Sequence, residues 1–211
     1  MVGFLIFFIT MKLPTQEKCV QYFEEYYVPD NIKNHCVKVQ EVAQFIASKF
    51  IKTEINQELI SKLAILHDVF KMIAITDFGT GHHDDATLTD QQKTFWQGMK
   101  LKHPSCYEGQ LAYEIFKDEF PELAIALKNV SNPRNTEPSW EELIVHYADV
   151  RVFKNNVVTF DERWHYLRER YPREDGVWEA CREFQYDLEL KLFQHLPFTP
   201  EQLKQEMEKN E

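Results

Sequence analysis

The residues best suited to chemistry are His67 and Asp68, adjacent near the end of the apolar run Leu63-Ala64-Ile65-Leu66-His67-Asp68-Val69-Phe70-Lys71. Burying an imidazole and a carboxylate in such a run is costly unless something binds them. Together they suit a divalent Zn, Fe, Mn, Co or Ni ion. A lone His-Asp pair arises often by chance, so the reading depends on further ligands. His35 lies on an apolar stripe with Ile32, Val39, Val42, Ile46 and Phe50, where a satisfied core histidine is the plainer reading. Asp149 interrupts Ile144-Val145-His146-Tyr147-Ala148-Asp149-Val150-Arg151, although Asp is disfavoured inside helices. Alone it reads as an exposed or ion-paired residue. The stretch Asp77-Phe78-Gly79-Thr80-Gly81-His82-His83-Asp84-Asp85 is dense in donors, but glycine-flanked clusters of this kind are usually solvated.

The elements that must position these residues are helical. Apolar positions recur at threes and fours over residues 14–27 and 31–51, and again after Asn56, a good N-cap. Residues 75–102 are less regular, with a short helix or lid over 87–99. Further helices are expected over 104–116 and 121–130. Ser139-Trp140-Glu141-Glu142, Thr159-Phe160-Asp161-Glu162 and Thr199-Pro200-Glu201-Gln202 each have the capping-box pattern that opens a helix. A long amphipathic helix is expected over 175–196. No strand-like alternation persists, so the expected fold is all-α, a single compact bundle of eight or nine helices. Residues 14–172 form its main body, and 173–211 supply C-terminal helices packed on the same domain.

Composition agrees with one globular unit. The 211 residues include only six glycines, and 44% are apolar. A net charge of −10 argues against an extended nucleic-acid surface, which needs a basic face. A small phosphorylated substrate needs only a few local cations and stays compatible. The four cysteines show no metal-binding spacing and read as free buried thiols in a reducing, cytoplasmic setting. The apolar run Val2–Ile9 is shorter than the roughly 20 residues a membrane span takes. It also lacks a signal-peptide pattern. Residues 1–13 read as an extension, with residues 1–10 either upstream of a chain start near Met11, the favoured reading, or a short strand or tail packed on the surface. No membrane association is expected, and oligomeric state is open, a homodimer included.

Taken in order, His35, His67-Asp68 and Asp149 make two imidazoles and two carboxylates on three apolar helices. In this arrangement the chain resembles the HD-domain superfamily of metal-dependent phosphohydrolases. The stretch NHCVKVQEVAQFIA resembles that family's first-His helix, and LAILHDVFK its LLHDIGK segment. HPSCYEGQLAYEIF is similar to the HPERGAEIL type of segment. LIVHYADVRVFKNNVVTFDERWHYLRERYP is similar to the family's YADKRV and SLEERF tail. The likeness spans roughly residues 14–172.

The resemblance implies an all-α fold and a divalent metal ligated by His35, His67, Asp68 and Asp149. His103 matches a second-metal ligand of binuclear members. Those members carry another His a helix later, in a V..HV segment, where the matching stretch here, LAIALKNVSN, has no His and offers only Asn129 or Asn132. One ion is therefore favoured over two, with His103 as a pocket residue. Asp68 is expected to orient or deprotonate the attacking water, and Lys71, one turn on, to meet a phosphate oxygen. The alternative for Lys71 is a solvated residue at a helix C-terminus. Arg134 and Arg151 are further phosphate candidates. Arg151 also suits a structural carboxylate pair, a role expected more strongly of Arg163. The implied activity is phosphohydrolysis of a nucleotide or other small phosphate ester. The alternatives are a non-catalytic protein of the family that binds metal and nucleotide, or a di-iron oxygenase. Substrate selection is expected from 75–102 and the loop 131–138.

Overall fold

A computed structural model describes residues 11–51, 54–75, 88–132, 135–171, 174 and 176–210. The fold is all-α. Its helices are α1 (Gln16–Glu25), α2 (Asp30–Lys49), α3 (Gln57–Leu66), α4 (Asp90–Lys102) and α5 (Glu108–Phe116). They continue with α6 (Pro121–Val130), α7 (Trp140–Val150), α8 (Phe160–Arg170), α9 (Val177–Phe193) and α10 (Leu203–Glu208). That is ten among the described residues, slightly above the eight or nine expected. The stretch 87–99, expected as a short helix or lid, is the full helix α4 and makes up the difference.

Side-chain caps set many of the starts. Thr15 and Asn56 each accept a hydrogen bond from the backbone N–H three residues on, Lys18 and Leu59. The capping boxes at Ser139 and Thr159 open α7 and α8. Thr89 and Gln92 form another at α4, within the stretch that reads as irregular in sequence.

Helix α3 is the centre of the bundle. Every residue from Leu59 to Leu66 is buried, so it is enclosed on all sides rather than along one stripe. Val39, Val42, Ala43 and Ile46 of α2 and Ile144, Val145 and Ala148 of α7 are sealed from solvent in the same core. The polar Ser61 of α3 is accommodated by hydrogen bonds from Gln40 and Gln44. Leu188 and Leu192 of α9, with Leu196 and Leu203, belong to that core too.

One element departs from the helical expectation. Strands β1 (Val152–Phe153) and β2 (Asn156–Val157) pair antiparallel, with Val152 opposite Val157 and Phe153 opposite Asn156. Lys154 takes a positive φ of 56° at the two-residue turn, as tight hairpins require. Two-residue strands are too short for alternation to register in a sequence.

Candidate metal centre and its cleft

Three elements bring the four expected ligands together. His35 sits on α2, His67 caps the C-terminus of α3 with Asp68 just beyond, and Asp149 lies in the last turn of α7. The burial of α2, α3 and α7 in one core fixes their mutual positions. Beyond His67, whose own backbone is still helical, the backbone hydrogen bonds tighten to three-residue spacing. The ring Nδ1 takes the carbonyl of Ala64 at 2.7 Å, and tighter turns follow through a 3₁₀ segment at Lys71–Ile73. A 3₁₀ segment replaces the helix that the apolar stripe through Phe70 implies.

The geometry is close-knit. One donor atom each from His35, His67 and Asp68 lies within 4.8 Å of the others. His35 Nε2 is 2.8 Å from Asp149 Oδ1. His67 Nε2 is 3.7 Å from Asp68 Oδ2 and 3.8 Å from Asp149 Oδ1. With Nδ1 donating to a carbonyl, Nε2 of a neutral His67 is a lone-pair donor, and it is buried without a hydrogen-bond partner. Backbone contact of this kind commonly orients metal-bound imidazoles.

The electrostatics run the same way. Burial alone would push the His67 imidazole down, but the Asp68 carboxylate, then Cys36 and Asp149, raise it well above the ordinary histidine value. Burial pushes Asp149 up, yet its hydrogen bond with His35 and the nearby His67 imidazole hold it well below the carboxylate range. Asp68 is likewise lowered against its burial, chiefly by Lys71 and then His67. The cluster thus favours positive charge at His67 Nε2. A proton can supply it, and so can a divalent cation, for which two imidazoles and two carboxylates are a suitable donor set.

Lys71 meets the cluster from the 3₁₀ turn. Its Nζ is 3.4 Å from Asp68 Oδ1 and 3.4 Å from Glu108 Oε1, at the start of α5. The Asp68 charge, more than its burial opposes, raises its pKa and keeps the ammonium charged. In sequence Glu108 looks like an ordinary first-turn acid with no chemical role. Gly109 lets it approach: a Cβ there would stand 2.8 Å from the Leu127 carbonyl oxygen and 2.9 Å from Ser131 Cβ. Cys36 is the other neighbour that went unnoticed. It is fully buried against His67, and burial pushes its thiol up. The remaining cysteines are also free, but Cys106 is only partly buried and Cys181 is exposed, unlike the uniform burial expected.

A cleft of about 930 Å³ opens over this cluster. His35, Asp68, Lys71 and Asp149 line it, together with Phe153 of the hairpin, Arg163, Trp164 and Tyr166 of α8, and Tyr171. Substrate selection was expected from 75–102 and 131–138. Among the described residues of those stretches, only Ile75 reaches the lining. The dense donor run 77–85 and Arg134 lie outside the described residues.

Two other candidates go elsewhere. His103 caps the C-terminus of α4, its Nδ1 3.4 Å from Glu114 Oε2, and it does not line the cleft. Asn129, where a second-metal histidine would be sought, donates to Glu142 Oε1 at 2.9 Å and ties α6 to the start of α7. Arg151 is only 2% exposed and turns into the protein. Its Nε donates to the Val158 carbonyl at 2.6 Å and its Nη2 to the Pro200 carbonyl at 3.0 Å. Its Nη1 donates to the Tyr147 hydroxyl and lies 3.5 Å from Glu189 Oε2. Each of its three nitrogens is engaged structurally in the interior, which removes it as a phosphate ligand. Arg163, expected to be the structural one, pairs with no carboxylate among the described residues.

No protein family, curated protein or solved structure compared with the chain matches it. Among the described residues, no helix is long and apolar enough to cross a membrane.

Proposed function

We propose that the chain is a divalent-metal-dependent phosphohydrolase of the HD type, acting on a nucleotide or other small phosphate ester. The observation that carries this reading is the orphaned, buried Nε2 of His67, facing the carboxylates of Asp68 and Asp149. A buried lone pair with no donor nearby is costly, and a cation relieves it. His35, His67, Asp68 and Asp149 would hold one ion. When bound, such an ion acidifies water and polarises a phosphoryl oxygen.

The protein groups do the rest. Asp68, only 14% exposed at its side chain, is placed to orient the attacking water and take its proton at a carboxylate oxygen. Lys71, held charged by Asp68 and Glu108, directs its ammonium at a phosphoryl oxygen and offsets the charge that builds in the transition state. The aromatic lining of the cleft suits a flat body such as a nucleobase. His103, occupied with Glu114, lends no support to a second ion, and so none to the di-iron alternative.

The test is a panel of nucleotides and simple phosphate esters, assayed with added Mn, Co, Ni, Mg or Zn, beside metal analysis of the purified protein. Phosphate release with one bound ion per chain is expected. Two irons per chain, or no release from any ester with any metal, would overturn the reading.

A further inference from the structure

Among the cations lining the cleft, Lys71 is already engaged by Asp68 and Glu108. Arg163 differs. No acceptor among the described residues takes its N–H groups, and its Nε is buried without a hydrogen-bond partner. Its guanidinium Cζ lies 5.4 Å from the Phe153 ring centre and 5.6 Å from that of Tyr166, two rings 4.3 Å apart. Those contacts orient the planar group and shield it from water, but they satisfy none of its hydrogen-bond donors. A buried donor left without an acceptor needs an explanation. Arg163 also lines the open cleft, where a ligand can reach its remaining donors.

We infer that Arg163 binds an oxyanion on the part of the substrate that is not attacked, so that the cleft selects esters carrying a second acidic group, a phosphate or a carboxylate. A guanidinium fork matches two oxygens of such a group at once. Arg163 makes no ion pair with Asp68 or Asp149, which separates its anion from the metal cluster. Tyr171 links the two regions: burial raises its phenol, while the charges of Arg163 and Lys71 both draw it down. The word substrate rests on the phosphohydrolase reading, whereas the anion site does not.

The experiment uses metal-free full-length protein in chelator, titrated calorimetrically with inorganic phosphate and, separately, with acetate. Wild type is expected to bind, and Arg163→Gln to bind at least about tenfold more weakly. Arg163→Lys should recover part of the loss, because charge returns without the fork. Circular dichroism melts confirm that each variant is folded. Binding of either anion through Arg163 supports the site, and the tighter of the two names the class of acidic group. Wild type that binds neither anion would overturn it. So would Arg163→Gln binding like wild type while Lys71→Gln loses the anion. A protein that hydrolyses no ester yet shows Arg163-dependent binding fails as a phosphohydrolase and keeps this site.

Discussion

His35 Nε2 and Asp149 Oδ1 lie 2.8 Å apart although 114 residues of chain separate them. They join α2 to the last turn of α7 beside the capped end of α3. If they are half of an ion's ligand set, Asp149→Ala should lower metal affinity at least about tenfold and abolish phosphate release, while the helical circular dichroism signal persists. Metal content equal to the parent protein, measured by atomic emission, would remove Asp149 from the set.

On the proposed phosphohydrolase reading, Lys71 acts on substrate rather than on the ion. Lys71→Gln is expected to lower kcat by about 10²–10³ with metal content unchanged. Glu108→Gln should give a smaller loss, roughly tenfold, since Asp68 still holds the ammonium. Steady-state kinetics beside metal analysis check both. An equal fall in bound metal would make Lys71 a structural residue.

The His67 shift predicts opposite pH responses with and without metal. Its folded pKa is raised above the ordinary 6.5, so the stabilisation from its protonated form is complete below that value. It is lost as pH climbs through the raised folded value. Chelated protein should therefore melt at lower temperature as pH rises from 6.5 upward. Metal uptake needs neutral imidazole, so stabilisation by added Mn should grow over the same window. Melting curves at pH 6, 7 and 8, with Mn or with chelator, test this. A chelated protein that becomes more stable from pH 6.5 to 8 contradicts the charge assignment.

Gly109→Ala should destabilise by about 1–3 kcal/mol, because a methyl group cannot fit 2.8 Å from the Leu127 carbonyl without moving α5 from α6. That movement would also displace Glu108 from Lys71. Urea unfolding gives the first effect. An unchanged midpoint would show that α5 shifts freely.

Arg151→Leu should cost about 3 kcal/mol, the scale for removing one partner of a buried, hydrogen-bonded charge pair. Thermal melts check it, and Glu189→Gln should produce part of the same loss. A melting temperature equal to wild type would mean that Arg151 is not a structural clasp.

Much of this was legible in the sequence because the four candidate ligands are polar residues on otherwise apolar helices. Burial of α2, α3 and α7 accounts for their meeting. Helix starts were legible where a Ser, Thr or Asn cap preceded a periodic run, as at Asn56 and Ser139. Partners that look like common surface residues were not. Glu108 resembles any acid in a first turn, and Arg163 any basic residue on an amphipathic helix. Only the packing of the hairpin against α8 shows that Arg163 stands beside two rings without a counter-ion among the described residues. Arg151 misled for the opposite reason: its distance in sequence from Glu189 and Pro200 conceals that both receive it.

The Arg151 clasp also bears on the order in which the protein matures. All four candidate ligands belong to the chain up to Asp149, yet Arg151, two residues later, is gripped by Glu189 and by the carbonyl of Pro200. During synthesis the donor atoms emerge from the ribosome well before the segment that steadies the last of them. The end of α7 that carries Asp149 is therefore clasped only once the chain through Pro200 has followed and docked.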